Sequence, residues 1–255
     1  MANFGSYQDI LPDPNNLISH SGSSDSNNTG AAFGPGFATV KFTANQPTQI
    51  SRTNSGRVVA RSTMAHSWKL NITYNKITRD EFEPIFSFLM SRQGRLNPFF
   101  VELPQYLTSR NSTFAATQPG TLLTLNESSS VPAGRTYFRA SWGGSIDVLP
   151  FTGDVFTITD PNNSNHTKMY MVTRVERNND YNTSLDASTN PSASPMNVRI
   201  HFSPPLVHSV DTSVTSTLDF VEPRLRVVQA GDVTEYSLGV DGLYQFGLNL
   251  EEAAP

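Results

Sequence analysis

The chain has 255 residues, 37% hydrophobic and 10% aromatic, enough for one large all-β domain or two smaller ones and contrary to global disorder. Charged residues make up 16% and the formal net charge is −4, which argues against a nucleic-acid binder working through a broad basic face. The absence of cysteine excludes disulfides, zinc–thiolate sites and thiol nucleophiles.

The first residues hold no basic side chain and no apolar run, so no secretory signal is read there. No stretch reaches the ~18 consecutive apolar residues of a membrane span, and the expectation is a soluble protein without membrane insertion. Residues 1–36 read as an extended N-terminal arm. Phe4, Tyr7, Ile10 and Leu11 precede Pro12 and Pro14, and a Ser/Asn/Gly tract follows. This is either a disordered terminus or an arm that orders against a neighbouring subunit. Four large apolar residues are wasteful on a free tail, which makes Phe4, Tyr7, Ile10 and Leu11 the candidate subunit interface.

Strands are expected near 37–42 and 57–60, followed by a strand–helix–strand unit over 68–106. Trp68, Leu70, Ile72 and Tyr74 alternate with Lys69, Asn71 and Thr73, the period of a strand with one buried face. Thr78 and Glu81 have capping-box spacing, and Phe82, Ile85, Phe86 and Leu89 follow at helical intervals. Pro84 would leave a carbonyl unpaired in a helix begun at Thr78, and fits a first turn if the cap is Asp80 or Glu83. Gly94 supplies a stop, and 99–103 reads as a buried strand ended by Pro104.

Residues 111–206 read as a second β module, with strands expected at 121–125, 136–142, 154–159, 168–176 and 197–202 between loops rich in Asn, Asp, Pro and Gly. From 217 the chain returns to short alternating segments at 218–222, 224–229, 234–238 and 243–250. Tyr244, Phe246, Leu248 and Leu250 alternate so regularly that this strand is expected to close the first sandwich. The domains expected are 37–110 with 207–255 as a β-sandwich, and 111–206 as a β module inserted between its halves. The 243–250 strand carries no charged side chain, which on an exposed edge invites a partner.

The chemistry of catalysis is missing. His201 and His208 are seven apart across two prolines and cannot take the i, i+4 geometry of a metalloprotease; His20, His66 and His166 stand alone. Gly143-Gly144-Ser145 lacks the last glycine of a nucleophile elbow. Asp160, Asn162 and Ser164 have calcium-loop spacing at 1-3-5, but Asn165 stands where glycine is needed and Met171 where glutamate is needed; Asp180, Asn182 and Ser184 fail likewise. Turn chemistry explains both. No phosphate-cradling glycine loop occurs, so no catalytic residue, metal or cofactor is expected. Arg57, Arg61, Arg92 and Arg95 gather around the 68–106 unit, either as inter-subunit ion pairs or as a solvated face.

The unit WKLNITY, ITRDEFEPIFSFL, SRQGRLNPFFVELPQY resembles distal-tail and tube-initiator (baseplate hub) ring proteins of bacteriophage tails. In that family the helix is followed by an Arg-x-Gly turn and an aromatic strand ending near Pro and Tyr, as Arg92, Gly94, Phe99, Phe100, Pro104 and Tyr106 do here. The ending YQFGLNLEEA is similar to the family's last sandwich strand. The resemblance implies a mainly β fold, a tail-tube-like β-sandwich with one flanking α-helix plus an inserted small β-barrel or sandwich module. It also implies a non-enzymatic virion tail component, assembled in the host cytoplasm as a ring, most simply a homohexamer, between tail tube and baseplate hub proteins. Genomic DNA would be only transient cargo of its lumen. The alternative is a carbohydrate-binding adhesion module with Trp142, Tyr170 and Tyr181 as sugar-stacking surfaces; a tail-associated hydrolase ranks third.

Overall fold

In a computed structural model, the structure describes residues 10–14, 17–18, 32–62, 65–118, 123–127, 130–142, 148–163, 166–177, 196–211, 216–231 and 235–253. In chain order the elements are β1 (Leu17–Ile18), β2 (Ala32–Phe33), β3 (Phe37–Asn45), β4 (Thr48–Arg52), β5 (Val58–Ser62), β6 (Ser67–Tyr74), α1 (Arg79–Arg92), β7 (Phe99–Glu102), α2 (Ser112–Thr117), β8 (Leu123–Leu125), β9 (Tyr137–Trp142), β10 (Val155–Thr159), β11 (Tyr170–Arg177), β12 (Met196–Ser203), β13 (Thr217–Asp219), β14 (Arg224–Gln229), β15 (Tyr236–Leu238) and β16 (Tyr244–Glu252). The fold is mainly β with one main helix, and it forms two compact units: 1–102 with 226–254, and 103–225.

In the first unit the main sheet has the order β3-β6-β16-β14-β7, with β15 paired to β16. The alternation of 68–74 places Trp68, Leu70, Ile72 and Tyr74 on the buried face, and β16 does the same with Phe246, Leu248 and Leu250. The two strands run antiparallel with Leu250 opposite Leu70 and Leu248 opposite Ile72. On the other side of β6, Val40 faces Ile72 and Phe42 faces Leu70, and the Phe42 ring stacks on Trp68 at 4.4 Å. Strand β16 is thus interior, not an edge. Its lack of charge between Leu243 and Leu250 follows from having partners on both sides, so the expectation of a bare edge there is corrected.

Helix α1 lies on this sheet. Phe82, Ile85 and Leu89 are its buried residues, and the Phe82 ring stacks on Tyr244 at 4.4 Å and meets Phe246 edge-on at 5.6 Å. Further along, Phe88 packs edge-on against Phe99 of β7, and the buried Gln229 amide donates to the Leu89 carbonyl at 3.2 Å. The N-cap is Thr78, not Asp80 or Glu83: the Glu81 carboxylate accepts from both the Thr78 N–H and hydroxyl at 2.9 Å, and the Phe82 N–H donates to the Thr78 carbonyl. Pro84 therefore sits inside the helix, beyond the first turn, and the packing of the flanking Phe82 and Ile85 outweighs the bond it removes. Gln93 and Gly94, both at positive φ, end the helix.

The N-terminal segment departs most from the sequence reading. Ile10 forms a parallel bridge with Phe100, the Leu11 N–H donates to the Phe100 carbonyl at 2.8 Å, and the two residues are 5% and 0% exposed. They extend the β7 edge of the chain's own sheet and so are core residues, which corrects their assignment to a subunit interface. Gly34 holds this strap down: its N–H donates to the Asp13 carbonyl, and a Cβ there would stand 2.5 Å from Pro12 and Asp13 backbone atoms. Strands β1 and β2 pair just beyond, Leu17 opposite Phe33. Phe4 and Tyr7 lie outside the described residues.

The second unit is a closed barrel, β10-β11-β12-β9-β8-β13. Alternate residues fill it: Phe138, Ala140 and Trp142 from β9, Val198, Ile200 and Phe202 from β12, Phe156 and Ile158 from β10, and Tyr170 and Val172 from β11. Phe114 of α2 meets Trp142 and Phe220 at 5.3 Å, and Asn111 caps that helix by accepting from the Thr113 and Phe114 N–H groups. Leu206, Val210, Leu218 and Phe220 also enter this core. Residues 217–219, expected in the sandwich, pair instead with β10 and β8. The buried Asp154 carboxylate ties 109–110 to the barrel, accepting from the Ser109 hydroxyl and from the Arg110 N–H at 3.0 Å.

Two substitutions check this packing. Phe82→Ala should cost ~3–5 kcal/mol in chemical denaturation, and Phe86→Ala, which truncates a half-buried ring against Phe82 and Tyr236, distinctly less. Leu11→Ala should cost ~2–5 kcal/mol. A cost for Leu11→Ala within experimental error would place the strap outside the folded unit.

Candidate functional site

Among the described residues no three His, Cys, Asp or Glu side chains converge as metal ligands. His201 sits 3.0 Å from Glu176 while His208 lies beside His166, ring centroids 6.1 Å apart, so the two histidines close in sequence serve different surroundings. Asp160 is turn chemistry: one carboxylate oxygen accepts from the Asn162 N–H at 2.9 Å and the other from the Asp211 N–H at 3.2 Å. Ser164, the loop with Asp180, Asn182 and Ser184, and Gly143-Gly144-Ser145 lie outside the described residues.

Trp142 and Tyr170, the expected sugar-stacking rings, are both 0% exposed in the barrel core. Strand alternation points them inward, so they present no face to a ligand, and that assignment is corrected. Tyr181 lies outside the described residues. The Tyr170 hydroxyl accepts from the Val207 N–H at 3.3 Å and lies 3.0 Å from His166 Nε2. The second ring nitrogen, Nδ1, is buried with no hydrogen-bond partner among the described residues. Burial first, and the neighbouring His208 second, push the His166 pKa down to about 4 against the opposing pull of Asp160.

The outer face of the barrel carries a charged belt. Glu176, Arg199 and Arg139 stand in register across β11, β12 and β9. Glu176 is held by Arg174 at 2.8 Å, Arg199 at 3.5 Å and His201, and the buried Glu127 by Arg135 and Arg139, each at 3.4 Å. Arg135 and Arg199 also lie over the Tyr137 ring. Each carboxylate has its cations, so the belt is a structural network binding three strands together.

The first unit holds the uncovered surfaces. Strands β4 and β5 form a two-stranded hairpin outside the main sheet, Ile50 opposite Ala60 and Arg52 opposite Val58, with Ile50, Val58 and Val59 66%, 54% and 49% exposed. Near β15, Tyr236, Leu238 and Val240 are likewise exposed. The expected arginine group divides: Arg57 and Arg61 are exposed beside this hairpin, Arg92 packs over the Phe88 ring at 4.7 Å, and Arg95 donates to the Ala230 carbonyl. The sequence reading missed both apolar patches; the signal was Val58-Val59 flanked by arginines with no carboxylate nearby.

Residues 26–106 match the family described as distal tail protein pb9, A domain, N-terminal. This region belongs to the bacteriophage distal tail protein family. The matched segment runs from β2 through β3, the hairpin, β6, α1 and β7, the part of the unit that carries the Trp68 strand and the capped helix. No curated protein sequence matches the chain. The match points to a structural component of a phage virion tail, in a family that is generally non-enzymatic.

The His166 geometry predicts an acid limb of stability. Its pKa is depressed in the folded state, so the unfolded chain binds the proton more readily and folding weakens as pH falls from about 6.5 towards 4. His166→Gln should flatten melting temperature against pH in that window. An unchanged acid limb would assign it entirely to carboxylates.

Proposed function

We propose that this distal tail protein forms a ring of identical subunits, most simply six, that continues the tail tube and provides the attachment surface for tip proteins. Assembly takes place in the host cytoplasm, and genomic DNA crosses the lumen without being held. The observation that carries the reading is the uncovered surface of the first unit. Among the described residues no strand pairs with the outer edge of β3, nine residues long with Lys41 its single charge, whereas the opposite edge at β7 is covered by Ile10 and Leu11. An open edge with two exposed apolar patches is a liability in a monomer and a resource in a ring. The chain's mild negative charge suits a channel that must release a polyanion. Phe4 and Tyr7 remain candidates for subunit contact in this ring.

Negative-stain imaging of the purified chain, with sedimentation analysis, tests the reading. Closed rings of one symmetry are expected. A single monomeric species at every concentration reached, with no ring on the particle, would defeat it.

A further inference from the structure

The two apolar patches of the first unit lie at opposite ends of strand β6. The hairpin β4–β5 joins β3 to β6 beyond the pair Asn45–Ser67, so it projects from the Ser67 end. Strand β15 pairs with β16 from Tyr236 opposite Phe246 to Leu238 opposite Tyr244, next to the point where Gly247 faces Thr73, so it sits at the Tyr74 end. At ~3.3 Å per residue, the eight residues of β6 separate the two ends by about 23 Å. The patches therefore do not cover one another within a chain.

Their charges are opposite. Residues 45–62 carry Arg52, Arg57 and Arg61 and no carboxylate. Around β15 the sign reverses. Tyr244 bridges to Ile77 at the helix entrance, and Phe82 packs on Tyr236 and Tyr244, bringing the first turn of α1 alongside. The exposed carboxylates there are Asp80, Glu81, Glu83, Glu235 and Asp241, against only Lys76 and Arg79 as cations. A two-stranded hairpin with every residue from Thr48 to Arg61 exposed is also marginal by itself.

We propose that the occupant of each patch is a second copy of this chain: the hairpin β4–β5 of one subunit seats its Ile50–Val58 face on the Tyr236–Val240 strip of the next, with Arg52, on that same face, against the acidic helix entrance. The contact is heterologous, a head on one end of β6 meeting a tail on the other, and such contacts propagate until the rotation between copies closes a ring. Apolar burial supplies the attraction, and the opposed charges fix which ends meet. This rests on the ring reading and specifies its interface.

The test uses the full chain, whose lack of cysteine leaves no background. Val58→Cys and Leu238→Cys chains are mixed and oxidised; a disulfide between the two kinds of chain is expected in excess of either homodimer. Separately, Ile50→Asp with Val58→Asp should weaken assembly at least tenfold, and because both side chains are exposed the melting temperature of the monomer should stay unchanged. Arg52→Glu, on the face that carries Ile50 and Val58, should weaken assembly as well, less so at high salt. If rings form but the mixed disulfide does not, or the Asp variant assembles as the parent does, the proposed interface is wrong while the ring reading stands. If the parent chain forms no ring in any setting, both fall.

Discussion

The first unit depends on one long-range pairing. Strand β16 enters between β6 and β14, and it supplies Phe246, Leu248 and Leu250 to the face on which α1 lies. Without it, β6 would be bonded on one side only, Phe82 would lose the Tyr244 and Phe246 rings, and Ile77 would lose both of its backbone bonds to Tyr244. The aromatic cluster is directional as well as apolar: the stacked and edge-on rings fix the height of the helix over the sheet, which a layer of aliphatic side chains would specify less sharply. The charge pairs above this layer, Lys69 with Glu251 and Lys76 with Asp241, are surface-exposed and add register more than energy.

Much of this was legible in the sequence because burial on one face writes a period into the chain. The strands over 68–74 and 244–250 and the capped helix came directly from that period, since a one-residue slip in any of them would turn the apolar set to solvent. What the period cannot carry is an address. Leu218 alternates as well as Leu248 does, yet one lines the barrel and the other the sheet. Nothing local told them apart. The uncharged stretch 243–250 reads equally as a bare edge or as an interior strand, and only its neighbours decide. Ile10 and Leu11 are the clearest case, because their partner Phe100 is about ninety residues away and the intervening Ser/Asn/Gly tract hides the return.

The candidate surfaces were less legible for a related reason. A binding surface is defined by what fails to be covered, and exposure is a property of the finished fold. Trp142 and Tyr170 looked like surface aromatics because their loops are polar, but strand alternation turned both inward. The hairpin around Val58 looked like an ordinary strand pair, and it became informative only once its residues from Thr48 to Arg61 proved exposed while the barrel, closed on itself, left no edge of its own to match.

The placement of β16 also orders events during synthesis. All barrel strands lie between residues 123 and 219, so every strand of that unit is synthesised before the sheet's β16. Strand β6, finished at residue 74, must wait for residues 244–252. At ~5–20 residues per second that is a delay of roughly ten to thirty seconds with one side of β6 unpaired. A nascent or truncated chain therefore lacks both the sheet centre and the β15 strip that anneals to it.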